Sequence, residues 1–374
     1  LPLKLLHTAD LHLGMTFKNR AYPEEVREQL TEARYETLAR LVERANQEKC
    51  HLMVIAGDLF HRANVASETI DRVISILHRF QGCVAILPGN HDYYEPYGSL
   101  WPDLIERAPE EFLLMVQSEP YPLSDFGIDA VLYPAPCTAK HSPSNSLEWI
   151  KNMGEKPEAR WHIGVAHGAV KGISPDFEQQ YYPMEEKELI SPGLHLWCLG
   201  HTHVRYPDRE ETEREVYMYS GTPEPDGFDC RHSGYAWITE IDEEGNATDR
   251  SIETGRFCFV EMQKNVASFS DLEAVPRELA AHSVPLDTLV KLKLSGTLPE
   301  EDYKSRRAFY DRLRETYMYV EIDESELTVE ITPEVISASY PEGSFPHLLL
   351  VRLAEKEDRE ALQIAYRLVE EVKQ

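Results

Sequence analysis

Five short clusters in this sequence carry residue types that bind metal ions: Asp10-Leu11-His12, Gly57-Asp58, Gly89-Asn90-His91-Asp92, His167-Gly168 and Gly200-His201-Thr202-His203. A single Asp-x-His triplet occurs by chance on many surfaces, and a lone histidine is more often structural than a ligand. The set argues differently, because each cluster ends a short apolar run, and the tips of neighbouring strands converge on one edge of a sheet. Carboxylate, imidazole and amide oxygen without thiolate suit Mn²⁺, Fe²⁺ or Zn²⁺, and argue against a structural zinc. We therefore expect Asp10, His12, Asp58, Asn90, His167, His201 and His203 to hold two divalent ions, with manganese first.

Two ions about 3.5–4 Å apart need a shared carboxylate for in-line attack on phosphorus. Asp58 stands alone after a buried strand and is the expected bridge. Such a pair activates a water at neutral pH and neutralises charge developing on phosphoryl oxygens, so the expected reaction is hydrolysis of a phosphate ester. His91 follows Asn90 directly and would face the space above the ions, as a general acid for the leaving alkoxide. Asp92 either holds the His91 tautomer and raises its pKa, or caps the following turn. His61 and Arg62 either approach a bound phosphate or belong to a solvated loop. His7, His51, His78, His141, His162 and His195 lack a partner motif and are expected to be structural.

The elements that would carry these clusters alternate. Strands are expected at Leu3 to His7, Leu52 to Ala56, Val84 to Leu87, Ile163 to Ala166 and Leu194 to Leu199. Helices at Glu24 to Gln47 and Ser67 to Phe80, with apolar residues at helical spacing, make the early chain βαβαβ. Further strands are expected at Val216 to Tyr219 and Tyr235 to Ile241, followed by a turn at Asp242 to Asn246. The expected architecture is α/β: a two-sheet sandwich flanked by helices, then a small α+β domain and a helical tail.

The polar clusters stop near Thr254-Gly255-Arg256, which sets the expected domains at 1–255, 256–340 and 341–374. The middle region alternates helices (Ser270 to His282; Pro299 to Tyr317) with strands (Leu289 to Leu294; Tyr319 to Ile322). The tail reads as two amphipathic helices, Phe345 to Leu353 and Arg359 to Val372. At 374 residues the chain exceeds a usual single domain. Its six cysteines form no CxxC pair and are expected to be buried and reduced. No long apolar run and no secretion-signal pattern is visible, so a cytoplasmic protein without a membrane span is expected. The formal charge of -27 has the wrong sign for a protein that coats nucleic acid. Bound cations and a local basic rim would reverse the field where a phosphate docks.

In order and content, the five clusters resemble the motifs of calcineurin-like metallophosphoesterases. Within that superfamily, His7-Thr8-Ala9-Asp10-Leu11-His12-Leu13-Gly14 and Gly57-Asp58-Leu59-Phe60-His61 resemble the DNA double-strand-break repair nucleases, the SbcD-like exonuclease subunits and their archaeal and eukaryotic relatives. The resemblance covers the first domain. It implies that Asp10, His12, Asp58 and His203 hold one metal, that Asp58, Asn90, His167 and His201 hold the other, and that His91 is the catalytic histidine. It also implies a capping domain after the phosphoesterase domain and a tail that docks on the coiled-coil base of an SMC-like ABC-type ATPase. For the tail, packing on its own domain is the alternative. The family commonly forms homodimers through helices of the nuclease domain. The segment Tyr219-Ser220-Gly221-Thr222-Pro223-Glu224 departs from the family's usual Pro-Gly-Ser type turn.

The leading functional expectation is a DNA nuclease, exonucleolytic on duplex ends and endonucleolytic on single strands, working in DNA repair with an ATPase partner. A phosphatase or phosphodiesterase for a small molecule or phosphoprotein shares the metal chemistry and suits an acidic surface. An interaction subunit without catalysis is opposed by the intact set of Asp10, His12, Asp58, Asn90, His91, His167, His201 and His203.

Overall fold

The computed structural model describes residues 2–213, 215–244, 247–280, 284–356 and 358–373. The chain divides into two compact units, Leu1–Phe257 and Cys258–Gln374.

In the first unit, β1 (Leu3–Thr8), α1 (Glu24–Gln47), β2 (Leu52–Ile55), α2 (Ser67–Leu77), β3 (Cys83–Ile86), α3 (Leu100–Arg107) and β4 (Phe112–Leu114) follow in order. Strands β1 to β4 lie side by side and parallel. Next come β5 (Tyr121–Pro122), β6 (Ala130–Ala135), α4 (Glu148–Asn152), β7 (Trp161–His167), α5 (Glu186–Ile190), β8 (Leu196–Gly200), β9 (Glu211–Glu213), β10 (Tyr217–Tyr219), β11 (Tyr235–Ile241) and β12 (Ala247–Glu253). One sheet has the order β4-β3-β2-β1-β11-β12-β9, the other β10-β8-β7-β6-β5. The expected α/β sandwich flanked by helices is the observed fold.

Burial explains why the strands read as unbroken apolar runs. Leu5, Val54, Ala85, Leu132, Val165, Cys198 and Met218 fill the space between the sheets. On the outer face of the first sheet, Leu6, Met53, Ile55 and Ile86 pack against Leu38, Leu41, Ile70 and Val73 of α1 and α2. Strands covered on both faces lose the alternation of a half-exposed strand. His7 ties the two sheets through its Nε2, 3.0 Å from the Leu199 carbonyl, and Trp237 Nε1 donates to the Tyr219 carbonyl at 2.8 Å. In α1, Glu24 and Glu25 open the helix and Arg44 closes it, each on the favourable end of the helix dipole. Helix α2 ends at Leu77 rather than Phe80, because the Phe80 N–H turns back to the Leu77 carbonyl. Of the turn expected at Asp242 to Asn246, Gly245 and Asn246 lie outside the described residues.

In the second unit, β13 (Cys258–Val266), β14 (Thr288–Leu298) and β15 (Tyr319–Val329) form a parallel sheet. Helices α6 (Phe269–Ala280) and α7 (Glu300–Thr316) supply the crossovers and bury Leu272, Val275, Phe309 and Leu313 against Val290, Leu292 and Leu294. The end expected for α6 at His282 lies outside the described residues. Helices α8 (Pro333–Ser339), α9 (Phe345–Glu355) and α10 (Arg359–Lys373) share a separate small core of Ile336, Tyr340, Leu350 and Leu362. Thr332 and Ser344 cap α8 and α9 by accepting from Val335 N and His347 N. No helix among the described residues is long and apolar enough to cross a membrane. All six cysteines are free, five buried and Cys258 half-buried.

Candidate metal centre

All five motif clusters sit at the carboxyl ends of strands. Asp10 and His12 follow β1, Asp58 follows β2 and Asn90 follows β3; His167 ends β7, and His201 and His203 follow β8. The first loops continue the pairing of their strands: Asp10 N donates to Gly57 O at 3.1 Å, His12 N to Asp58 O at 3.0 Å and Leu13 N to Leu59 O at 2.9 Å. Asp10, His12, Asp58 and His201 all have positive φ, of 55°, 47°, 53° and 100°. Side chains disfavour that region, and residues held there cluster at functional sites. Gly89 lets the third loop close on the second: a Cβ there would stand 2.1 Å from Asp58 Oδ1 and 2.2 Å from Asp58 N.

The donor atoms converge in two overlapping groups. Asp10, His12 and His203 form one and Asp10, Asp58 and His167 another, each with its ligand atoms within 4.8 Å of one another. Asp58 Oδ2 lies between them, 3.7 Å from His12 Nε2 and 3.4 Å from His167 Nε2. Asp10, not only Asp58, therefore faces both groups. Asn90 Oδ1 joins the second, 3.0 Å from His167 Nε2 and 3.3 Å from His201 Nδ1, while His12 Nε2 and His203 Nε2 stand 3.2 Å apart. Donors that each bind one ion at about 2.0–2.2 Å lie about 3 Å apart at neighbouring vertices, so these spacings fit divalent cations. The backbone aims the carboxylates: His201 N donates to Asp10 Oδ2 at 3.0 Å, and His91 N to Asp58 Oδ1 at 2.8 Å. The His167 Nδ1–H donates to the Ala56 carbonyl at 2.9 Å, which leaves the Nε2 lone pair free to face the donor group.

Electrostatics agree with the donor chemistry. Burial pushes His12 well down and His201 down to about 3, so both rings keep their lone pairs. Burial alone would raise the Asp58 carboxyl, but the imidazoles of His167, His12 and His91 hold it well below its ordinary range. Burial alone would lower His167; the facing carboxylates of Asp58 and Asp10 instead raise it to about 9. The cluster draws positive charge, as a cation site must.

His91, half-buried, projects beside this cluster. Its ring centroid is 4.8 Å from that of His12 and 5.5 Å from that of His61, and the three rings bring nitrogens within 4.8 Å of one another. The carboxylate of Asp92 does not hold this ring. Asp92 is fully buried, and its Oδ2 accepts from Phe60 N at 2.9 Å and its Oδ1 from Gly89 N at 2.7 Å. Both oxygens are committed to the backbone of the second and third loops, so its expected part as the tautomer-holding partner of His91 is corrected. The group that meets His91 Nδ1 is the His61 carbonyl, at 3.2 Å. His61 faces the cluster, whereas Arg62 is exposed and makes no hydrogen bond or ion pair among the described residues. Of the histidines set aside, His51 Nδ1 accepts from Lys4 N, His162 meets the Tyr133 hydroxyl and stacks on His195, and His78 is exposed. His141 lies against Tyr181, whose ring is also 5.0 Å from that of His201.

Three contributors were not expected. Arg34 on α1 reaches under the first loop, Asp226 approaches His203, and Thr222 donates through Oγ1 to the Asp10 carbonyl at 2.9 Å. Thr222 thus gives the unusual Tyr219–Glu224 segment a direct hold on the first ligand. Burial would raise Asp226, but the Arg34 guanidinium keeps its carboxyl well below the usual range.

A model of the family described as calcineurin-like phosphoesterase matches residues 3–205. The chain is 25% identical over 340 residues to a protein named uncharacterized metallophosphoesterase YhaO from Bacillus subtilis (strain 168), covering 86% of this chain and 79% of that one. It is 26% identical over 250 residues to the DNA double-strand break repair protein Mre11 of Methanopyrus kandleri, covering 60% of this chain and 49% of the relative. For the Mre11 of Saccharolobus solfataricus the identity is 25% over 227 residues, covering 59% of this chain and 55% of that one. The chain thus spans about half the length of each archaeal Mre11. Among solved structures, the purple acid phosphatase PPD1 from yellow lupin superimposes with a TM-score of 0.43 at 13% identity, over 68% of this chain and 52% of that one.

Proposed function

The chain belongs to the calcineurin-like phosphoesterase family and is a metal-dependent phosphoesterase; from that premise we propose that its substrate is DNA. The enzyme would hydrolyse phosphodiester bonds exonucleolytically at duplex ends and endonucleolytically in single strands, in DNA repair. In this reading Asp10, His12, Asp58 and His203 hold one divalent ion and Asp58, Asn90, His167 and His201 the other, with Mn²⁺ ahead of Fe²⁺ or Zn²⁺. When bound, the ions supply Lewis acidity toward the phosphoryl group and a nucleophilic water. The chain's own residues do the rest. With Nδ1 on the His61 carbonyl, His91 turns Nε2 to the substrate and donates a proton to the departing sugar oxygen. His61 and Arg62 meet the phosphate, and Asp92 fixes the loops from which Asp58 and His91 project.

One observation carries the choice of a diester. The rim above the metal donors is built of imidazoles, and burial together with the neighbouring His91 pushes His61 down to about 4. A His61 ring that is neutral at pH 7 adds no cation of its own beside the phosphate, which suits a singly charged diester better than a monoester of charge about -1.5 to -2. For DNA in particular, the support is similarity to two archaeal proteins named for DNA double-strand break repair.

The tail at 341–374 would dock on an SMC-like ABC-type ATPase. Its exposed Phe345, Leu348, Ile364, Leu368 and Val372 support that reading, since α9 and α10 leave an apolar surface. A homodimer through helices of the first unit and a cytoplasmic location complete the proposal. The net charge of -27 favours a second reading, a phosphatase or phosphodiesterase for a small molecule or phosphoprotein. The two part in one assay. The chain incubated with Mn²⁺ and end-labelled duplex DNA should release nucleotides, and the His91→Ala variant should not. Cleavage of p-nitrophenyl esters with DNA untouched would favour the second reading.

A further inference from the structure

One buried ion pair reaches the metal donors from beneath. Arg34 is 1% exposed, at a core position of α1 one turn after Leu30. Its Nη1 donates to the Leu11 carbonyl at 2.6 Å, and its Nη2 lies 3.1 Å from Asp226 Oδ2. Leu11 stands between Asp10 and His12, both at positive φ. Asp226 Oδ2 in turn lies 3.8 Å from His203 Nδ1, while His203 Nε2 faces His12 Nε2 at 3.2 Å. The other Asp226 oxygen accepts from Cys230 Sγ at 3.4 Å. One guanidinium therefore touches, directly or through one carboxylate, the segments that supply Asp10, His12 and His203.

We propose that Arg34 and Asp226 are a positioning couple for the metal position framed by Asp10, His12 and His203; the inference rests on the metal-centre reading above. A buried ion pair is a weak source of stability, because desolvation offsets most of the attraction. Here Arg34 Nε and Nη2 both lack a hydrogen bond, Nη2 meeting Asp226 as an ion pair only, so the pair is not arranged to satisfy every polar atom. What it does satisfy is ligand geometry. The Leu11 carbonyl is pinned, which fixes the two left-handed residues beside it. The Asp226 carboxylate, 3.8 Å from His203 Nδ1, draws that edge of the ring electrostatically while Nε2 faces the donor group, and outer-shell partners of this kind tune metal affinity. Arg34 cancels the charge of Asp226, so the couple orients His203 without adding a net anion to the cluster. The second position is served differently, since the Ala56 carbonyl orients His167. Of the ligands the couple holds, His12 and His203 face the first group and Asp10 alone is shared with the second, so its effect falls mainly on one ion.

The test is a calorimetric Mn²⁺ titration of the full chain, with electron paramagnetic resonance on the same samples. Asp226→Asn should weaken one of the two binding steps by about 10- to 100-fold and leave the other within about twofold. At intermediate Mn²⁺ the spectrum should change from coupled to isolated ions. Because Asp226→Asn strands the Arg34 charge and is prone to misfold, the uncharged pair Arg34→Gln/Asp226→Asn is measured beside it, with the same selective loss expected. A folded variant with two parent-like steps, or with both steps weakened equally, overturns the couple. A parent chain that takes up fewer than two ions overturns the metal-centre reading itself, and the couple with it.

Discussion

The backbone N–H of His91 donates to Asp58 Oδ1 at 2.8 Å, so the carboxylate whose Oδ2 faces both donor groups also sets where the candidate acid begins. The proposed metal bridge and proton donor are thereby fixed to each other without sharing an atom. A shift of one must move the other.

That coupling makes Gly89 critical. Gly89→Ala would drive a methyl group into Asp58 Oδ1 and N, at 2.1 and 2.2 Å. We expect the variant to fold but to lose metal, with Mn²⁺ content below half the parent's by elemental analysis. Parent-like metal content would show that the loop yields without moving Asp58.

For His91 the discriminating variable is the leaving group. Removing a general acid costs typically about 10²–10⁴-fold, and less when the leaving group needs no proton. His91→Ala should therefore lose at least about tenfold more in kcat on a sugar-alkoxide diester than on a p-nitrophenyl diester, with metal content unchanged. Equal losses on both would assign His91 to phosphate binding instead.

Asp92 gives a contrasting expectation. Both oxygens accept backbone N–H groups and none reaches His91, so Asp92→Asn turns an amide NH₂ toward a buried donor. A loss of about 1–3 kcal/mol of stability is expected, read by denaturant unfolding. The pH dependence of kcat should keep the parent's shape, whereas a shifted acid limb would restore Asp92 as partner of the His91 ring.

In the second unit, Glu324 accepts from Arg306 Nε at 2.8 Å and from the Tyr310 hydroxyl at 2.7 Å. Burial alone would raise its carboxyl, but these partners bring it below its ordinary value. A lowered carboxyl contributes stability above the unfolded pKa of about 4.3 and loses it as pH falls through the folded value. Hydrogen exchange along α7 of the full chain should therefore accelerate below about pH 4 more in the parent than in Glu324→Gln. Identical acceleration would remove this linkage.

Much of the catalytic unit was legible because its strands are covered on both faces and end in polar clusters. Helix α1 and strand β11 have the expected bounds, Glu24–Gln47 and Tyr235–Ile241. Strand β6 escaped notice because Pro134 interrupts its apolar run, and β12 because Ala-Thr-Asp-Arg-Ser-Ile-Glu has little apolar content. Helix α3 was missed as well, a short element that opens with Leu-Trp-Pro. In the site, the ligand types and their order at strand tips were readable, but second contacts were not. Asp226 lies in Pro-Glu-Pro-Asp-Gly, a stretch that reads as a turn. Arg34 left a signal: with Leu30, Leu38 and Leu41 it falls on the apolar stripe of α1, where an arginine must find a buried partner. The direction in which Asp92 turns depends on the approach of two loops from different strands, which no local pattern encodes.

The most direct test of the metal centre is a crystal structure grown with Mn²⁺, with anomalous difference maps at the manganese edge. The account predicts two peaks about 3.5–4 Å apart that share Asp58, one among Asp10, His12 and His203, the other among Asn90, His167 and His201. A single peak, or manganese bound away from these seven residues, would contradict it.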